Sequence, residues 1–216
     1  ALSSAASDVY KRQATSPTNC FDAAYYASKM ALEHMTPVVL LTDAFVANGS
    51  GAFKLPDLND YPDICPPYVT PEMAGSYTPY MRNPDTQVRY WAIPGQEGYM
   101  HILGGLEKDG RTGAISTDPE NHDKMCRLRA EKVARIPVPD VEVQGCVDDA
   151  ELLIVGFGGT YGHLHSAMDE MVATGKKVAL AHFSYLNPLP ANTAEVLKRY
   201  KKVVVAEQNL GQFAAY

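Results

Sequence analysis

Long apolar runs are missing from this sequence. No stretch approaches the roughly 18 to 20 residues that a bilayer-spanning helix needs, and no basic start followed by an apolar centre marks a secretory signal. The expectation is a cytoplasmic protein without a membrane partner. Cysteine is scarce: Cys20, Cys65, Cys126 and Cys146 are the four, and none forms a Cys-x-x-Cys pair. That spacing encodes no local zinc knuckle or iron-sulfur cluster and fits reduced thiols. Blocks of positive charge are also lacking, with 19 Lys+Arg against 25 Asp+Glu, a net charge of −6 and no basic run longer than a pair. A nucleic-acid or anionic-membrane surface is disfavoured, which leaves small molecules and proteins as partners.

What is present is a globular composition, 46% hydrophobic and 20% charged over 216 residues. A chain of this length buries roughly 70% of its unfolded surface, enough for two small domains. Residues 1–13 stand apart. They begin with small polar residues and continue as Asp8-Val9-Tyr10-Lys11-Arg12-Gln13, which reads like a translated transposon-end adaptor. They are expected to contribute neither fold nor chemistry.

From Phe21 the small or apolar residues Ala24, Tyr25, Ser28, Ala31, Leu32 and Met35 recur at helical spacing. Ser16-Pro17 supplies a start and Thr36-Pro37 a stop. Val38 to Thr42 then forms a continuous apolar run, the pattern of a parallel strand covered on both faces. From Ala44 to Thr117 periodicity gives way to Pro, Gly, Tyr, Asp and Asn. This predicts a long connector pinned across a surface by Tyr61, Tyr68, Tyr77, Tyr80, Tyr90 and Trp91. Asp118-Pro119 opens a helix whose face carries His122, Met125, Cys126, Arg129, Val133 and Ile136.

Beyond Asp148-Asp149 the texture changes again. Leu152 to Val155, Val178 to Ala181 and Val203 to Val205 read as three buried strands alternating with helices, hence a parallel sheet with right-handed crossovers. Asn192 with Glu195 has the spacing of a capping box.

Chemistry is sparse. Gly156-x-Gly158 between a strand and a helix resembles a diphosphate-binding turn. The next strand ends Ala181-His182-Phe183-Ser184, with no acidic residue for a ribose, and the third glycine falls at Gly162. His182 at a strand's carboxyl end either faces a ligand or packs with a hydrogen bond. Asp43 and Asn48, after the first strand, either orient a bound ring or fix the loop through backbone hydrogen bonds. No Ser-His-Asp order, Cys-His pair or carboxylate dyad stands out.

Several segments carry a resemblance: CFDAAYYASKMALEHMTPVVLLTDAFVANGS, WAIPG, GGLEKDGRTG, DPENHDKMCRLRAEKVARI, LIVGFGGTYG, YLNPLP and EQNLGQ. In this order, and from about Ala14 to Tyr216, they resemble the α subunit of 2-oxoacid:ferredoxin oxidoreductases, nearest the 2-oxoglutarate type. The resemblance implies an α/β chain. Residues 14–55 would be the tail of a thiamine-diphosphate pyrimidine-type domain, 56–147 a connector with one helix, and 148–216 a partial transketolase C-terminal-like parallel-sheet domain.

It further implies coenzyme-A-dependent oxidative decarboxylation of a 2-oxoacid with ferredoxin as acceptor. Thiamine diphosphate would be shared with a β subunit that also holds magnesium and an iron-sulfur cluster. The cofactor's aminopyrimidine must be held against its thiazolium, which calls for a cleft between subunits. The family's catalytic glutamate, its Tyr-Pro-Ile-Thr-Pro loop and its carboxylate-gripping segment would precede residue 14, so the chain is expected to be a fragment truncated at both ends, inactive alone and aggregation-prone. No catalytic residue or metal ligand is assigned on it. Asp43 and Asn48 are the candidate cofactor-binding residues, and Glu207, Asn209 and Gln212 the candidate interdomain or subunit contacts. The rival readings are a nicotinamide-binding module using Gly156 and Gly158, or a non-catalytic docking protein.

Overall fold

The computed structural model describes residues 10–102 and 104–216. Of the stretch 1–13, expected to stand outside the fold, the described part does the opposite. Tyr10–Gln13 is strand β1, the middle of a three-stranded sheet. It pairs in parallel with β2 (Val38–Leu41) and antiparallel with β6 (Tyr185–Asn187). Both neighbours present backbone donors and acceptors that only a strand in that slot satisfies. Tyr10 is 1% exposed.

Helix α1 (Cys20–Glu33) packs on this sheet through Ala23 and Ala27, four residues apart. Those small residues let the helix approach Ala14 and Val46 closely. The face expected to be buried is turned outward, with Phe21 and Leu32 exposed. Its aromatics meet the connector instead: Tyr61 stacks near Phe21, Tyr25 and Tyr26 and donates to Asp22. Strand β2 corrects the expectation of a strand covered on both faces. It is an edge strand, and Val39 is 41% exposed.

The connector is pinned by its aromatics as its composition predicts. Trp91 Nε1 donates to Leu32 O at 2.8 Å and Tyr25 Oη to Pro62 O at 2.7 Å. Apart from the short helix α2 (Ala44–Asn48), its described residues form only single turns and isolated bridges. Helix α3 (Pro119–Ala134) follows, capped by Asp118, whose carboxylate accepts from Glu120 N and Asn121 N. Met125, Val133 and Ile136 are buried, whereas His122 and Cys126 face solvent.

The second sheet has the order β3-β5-β4-β7, where β3 is Val143–Gly145, β4 Leu152–Phe157, β5 Val178–Phe183 and β7 Val203–Val205. The three expected strands are parallel to one another, and β3 adds an antiparallel edge that three residues ending in glycine do not announce. Side chains alternate across β4: Leu153 and Val155 face a core shared with Val196, Tyr200 and Phe213, and Ile154 faces Met168 on the other side. Helix α4 (Tyr161–Ala173) covers the second face; α5 (Thr193–Arg199) and α6 (Gln212–Ala215) supply the core residues of the first. Asn192 makes no cap, contrary to its capping-box spacing. Its amide is consumed by the backbone of Val141, at 3.0 Å in each direction.

Candidate functional site: the seam between two sheets

The two sheets meet because β6 follows β5 after one residue but joins β1. Gln13 N donates to Ser184 O at 3.0 Å at the crossing. Opposite this crossing lies the glycine turn that follows β4. Its neighbours come from the other sheet. Asp43 caps α2 through Oδ1, which accepts from Val46 N at 2.9 Å, while Oδ2 accepts from Gly159 N, also at 2.9 Å. Of the two roles open for Asp43, the loop-fixing one is what the geometry supplies.

A Cβ on Gly159 would lie 2.2 Å from Asp43 Oδ2, and one on Gly158, where φ is +63°, would lie 2.1 Å from Gln13 Nε2. Glycine is required here so that two polar side chains can approach the backbone. The space that a diphosphate would need beside these residues is filled by Gln13 and Asp43. The turn does not fit a diphosphate, and the nicotinamide-binding reading is not favoured.

Between the sheets lies a cleft of about 250 Å³ lined by Thr15, Gln144, Tyr161, His182, Ser184 and Tyr185 among others. His182 sits at the carboxyl end of β5 with its ring edge-on to Tyr161, the centroids 5.0 Å apart. Gln144 Nε2 in turn donates to Tyr161 Oη at 3.2 Å. Burial pushes the His182 imidazole down to about 4, outweighing the hydrogen bonds it makes to the backbone of Phe157 and Gly158. Its buried Nε2 has no partner among the described residues, so those backbone bonds run through Nδ1. At neutral pH it offers an acceptor lone pair and no charge. Tyr161, Gln144 and Ser184 escape sequence reasoning; the available signal for Ser184 and Tyr161 was their position after the ends of parallel strands, whereas Gln144 lies in the antiparallel edge strand β3 and carried none.

The other sequence candidates lie elsewhere. Asn48 Nδ2 donates to Ala44 O within α2 and is exposed. Glu207 accepts from Phe213 N and Ala214 N at 2.9 and 3.0 Å, and Asn209 Oδ1 accepts from Gly211 N and Gln212 N. These two side chains cap α6, the short helix that Gln212 begins. They are not brought to the seam with Asp43.

Fold and seam define an α/β chain in which two sheets are fastened across a glycine turn. The family described as pyruvate:ferredoxin oxidoreductase core domain II matches residues 150–215. The 2-oxoglutarate oxidoreductase subunit KorA of Mycobacterium tuberculosis is 47% identical over 199 residues, covering 92% of this chain and 30% of that protein. The 2-oxoglutarate synthase subunit KorA of Methanothermobacter marburgensis is 26% identical over 208 residues, covering 94% of this chain and 54% of its own length. The solved 2-oxoglutarate:ferredoxin oxidoreductase from Magnetococcus marinus, with 2-oxoglutarate, coenzyme A and succinyl-CoA bound, superimposes with a TM-score of 0.84 at 27% identity. That match covers 96% of this chain and 36% of the larger one. The chain is a homologue of these 2-oxoglutarate oxidoreductase and synthase subunits over more than nine-tenths of its own length, and it spans about a third to a half of the length of these relatives. Among the described residues no helix is long and apolar enough to cross a membrane.

Proposed function

We propose that this chain is part of a cytoplasmic enzyme that oxidatively decarboxylates 2-oxoglutarate with coenzyme A, passing two electrons to ferredoxin. The observation that carries the reading is the 47% identity to a 2-oxoglutarate oxidoreductase subunit across 92% of the chain. Thiamine diphosphate supplies the carbanion chemistry when bound, in a cleft shared with a β subunit that also carries magnesium and the iron-sulfur cluster. The residues seen here do not fit the diphosphate, and Asp43 is already committed to two backbone amides. Their contribution is to hold the pyrimidine-domain tail and the transketolase-like domain in register. Within the same proposal, Glu207, Asn209 and Gln212 present the α6 corner to a neighbouring domain or subunit.

The test is co-expression of the complete gene with its β partner, followed by coenzyme-A-dependent ferredoxin reduction with 2-oxoglutarate, pyruvate, branched-chain and aryl 2-oxoacids. Preference for 2-oxoglutarate supports the assignment. Preference for any other acid overturns the substrate, and no turnover with any of them overturns the activity.

A further inference from the structure

Away from the seam, the connector and α3 build a small cluster of metal-ligand side chains. His122 and Cys126 are one helical turn apart on α3, and His122 Nε2 lies 3.7 Å from Cys126 Sγ. A zinc ion at about 2.3 Å from sulfur and about 2.0 Å from nitrogen, with a tetrahedral angle between them, needs a separation of about 3.6 Å. Glu107 Oε2 lies 2.9 Å from His122 Nδ1, the second-shell contact that fixes a metal-binding histidine with Nε2 unprotonated. One carboxylate oxygen, one imidazole nitrogen and the sulfur all fall within 4.8 Å of one another. We propose that His122 Nε2 and Cys126 Sγ ligate a zinc-class divalent ion on α3, with Glu107 behind His122 as the second-shell carboxylate that ties the site to the connector, the remaining positions being filled by water.

The frame is set before any ion arrives. Lys108 bridges Ile115 and donates through Nζ to the carbonyls of Gly105 and Leu106. Asn121 in the first turn of α3 ties the same hairpin down, accepting from Gly110 N at 3.1 Å and donating to Lys108 O at 2.8 Å. The Glu107 carboxylate accepts from Lys108 N at 3.2 Å and from Arg129 Nη1 at 3.3 Å, which fixes its charge beside His122.

Arg129 already answers part of that charge, with Nη1 3.3 Å from Glu107 Oε1 and Nη2 3.1 Å from Cys126 Sγ. It is the metal's competitor. On binding, the Cys126 thiol proton leaves to solvent, the thiolate becomes a ligand and the guanidinium gives way. Cys126 and His122 are both exposed, so an ion reaches them directly.

The experiment titrates the full-length subunit that contains this chain with cobalt(II), reading the thiolate-to-cobalt charge-transfer absorption, and then displaces cobalt with zinc against a chromophoric chelator. Expected is one site whose affinity falls at least ~10-fold in C126S and in H122Q and by ~10-fold in E107Q, the loss typical of a second-shell deletion. R129Q should bind several-fold tighter. That gain separates a metal site from loss of folding, which only weakens binding. Charge-transfer absorption that survives C126S, or an R129Q variant that binds no tighter, overturns the proposal and leaves an Arg-Glu-His-Cys hydrogen-bond network.

Discussion

Acid should unlock the seam through His182. Burial takes its folded pKa to about 4, against 6.5 for an exposed imidazole. A depressed folded value means that the unfolded chain binds the extra proton first. The contribution to stability is complete above pH 6.5 and is lost as pH falls from there toward 4. Integrating proton uptake between pH 7 and pH 5 gives a loss of about 2 kcal/mol from this one side chain. The direct assay is pH-dependent deuterium exchange at the imidazole C2 position, read by mass spectrometry on the chain alone and in complex with its partner subunit. Unfolding midpoints of wild type and H182N at pH 7 and 5 supply the energy. Asparagine retains a donor for the backbone near Phe157 and cannot titrate, so its stability should lack this component. An exchange midpoint near 6.5 for His182, or equal acid sensitivity in H182N, would refute the reasoning.

The Asp43–Gly159 contact predicts strong non-additivity. G159A alone should cost about 2 to 4 kcal/mol because its methyl meets the carboxylate, and D43A should partly relieve that clash, giving a coupling above about 1 kcal/mol in a double-mutant cycle of urea midpoints. Arg12 is 8% exposed, its Nε and Nη1 have no partner among the described residues, and its guanidinium lies about 5 Å from the rings of Tyr26 and Tyr185. R12M keeps the stem and removes the buried charge, so it should stabilise by about 1 kcal/mol; a lower melting temperature would show that the two tyrosine faces outweigh desolvation. Leu210, Ile102 and Met100 are 96%, 92% and 87% exposed, so the isolated chain should self-associate at micromolar concentration, and a monodisperse light-scattering profile would contradict this.

The parallel core was legible because its strands are unbroken apolar runs: Leu152 to Val155 and Val178 to Ala181 need no partner to be recognised. Strands β1, β3 and β6 are three or four residues long and are strands only because neighbours offer them unpaired backbone. Period alone chose the wrong face of α1, since Tyr25, whose hydroxyl is satisfied by Pro62 O of the connector, looks as apolar in sequence as the alanines that contact the sheet. Asn192 shows the same limit from the polar side: its spacing fits a cap, but a backbone 51 residues away offers it two hydrogen bonds. Asp43 could be picked out as a polar residue at a strand end. Its bond to Gly159, 116 residues distant, could not.

That distant bond also explains why a glycine-rich turn after a strand need not bind phosphate. In a nucleotide fold the missing Cβ atoms make room for oxygens of a ligand. Here the same omission admits Asp43 and Gln13 from the neighbouring sheet, so the anion at the turn is a carboxylate of the chain itself. With its amide thus satisfied from within, the turn fastens two layers together, and the unpaired group beside their shared cleft is the buried Nε2 of His182 rather than a backbone N–H donor.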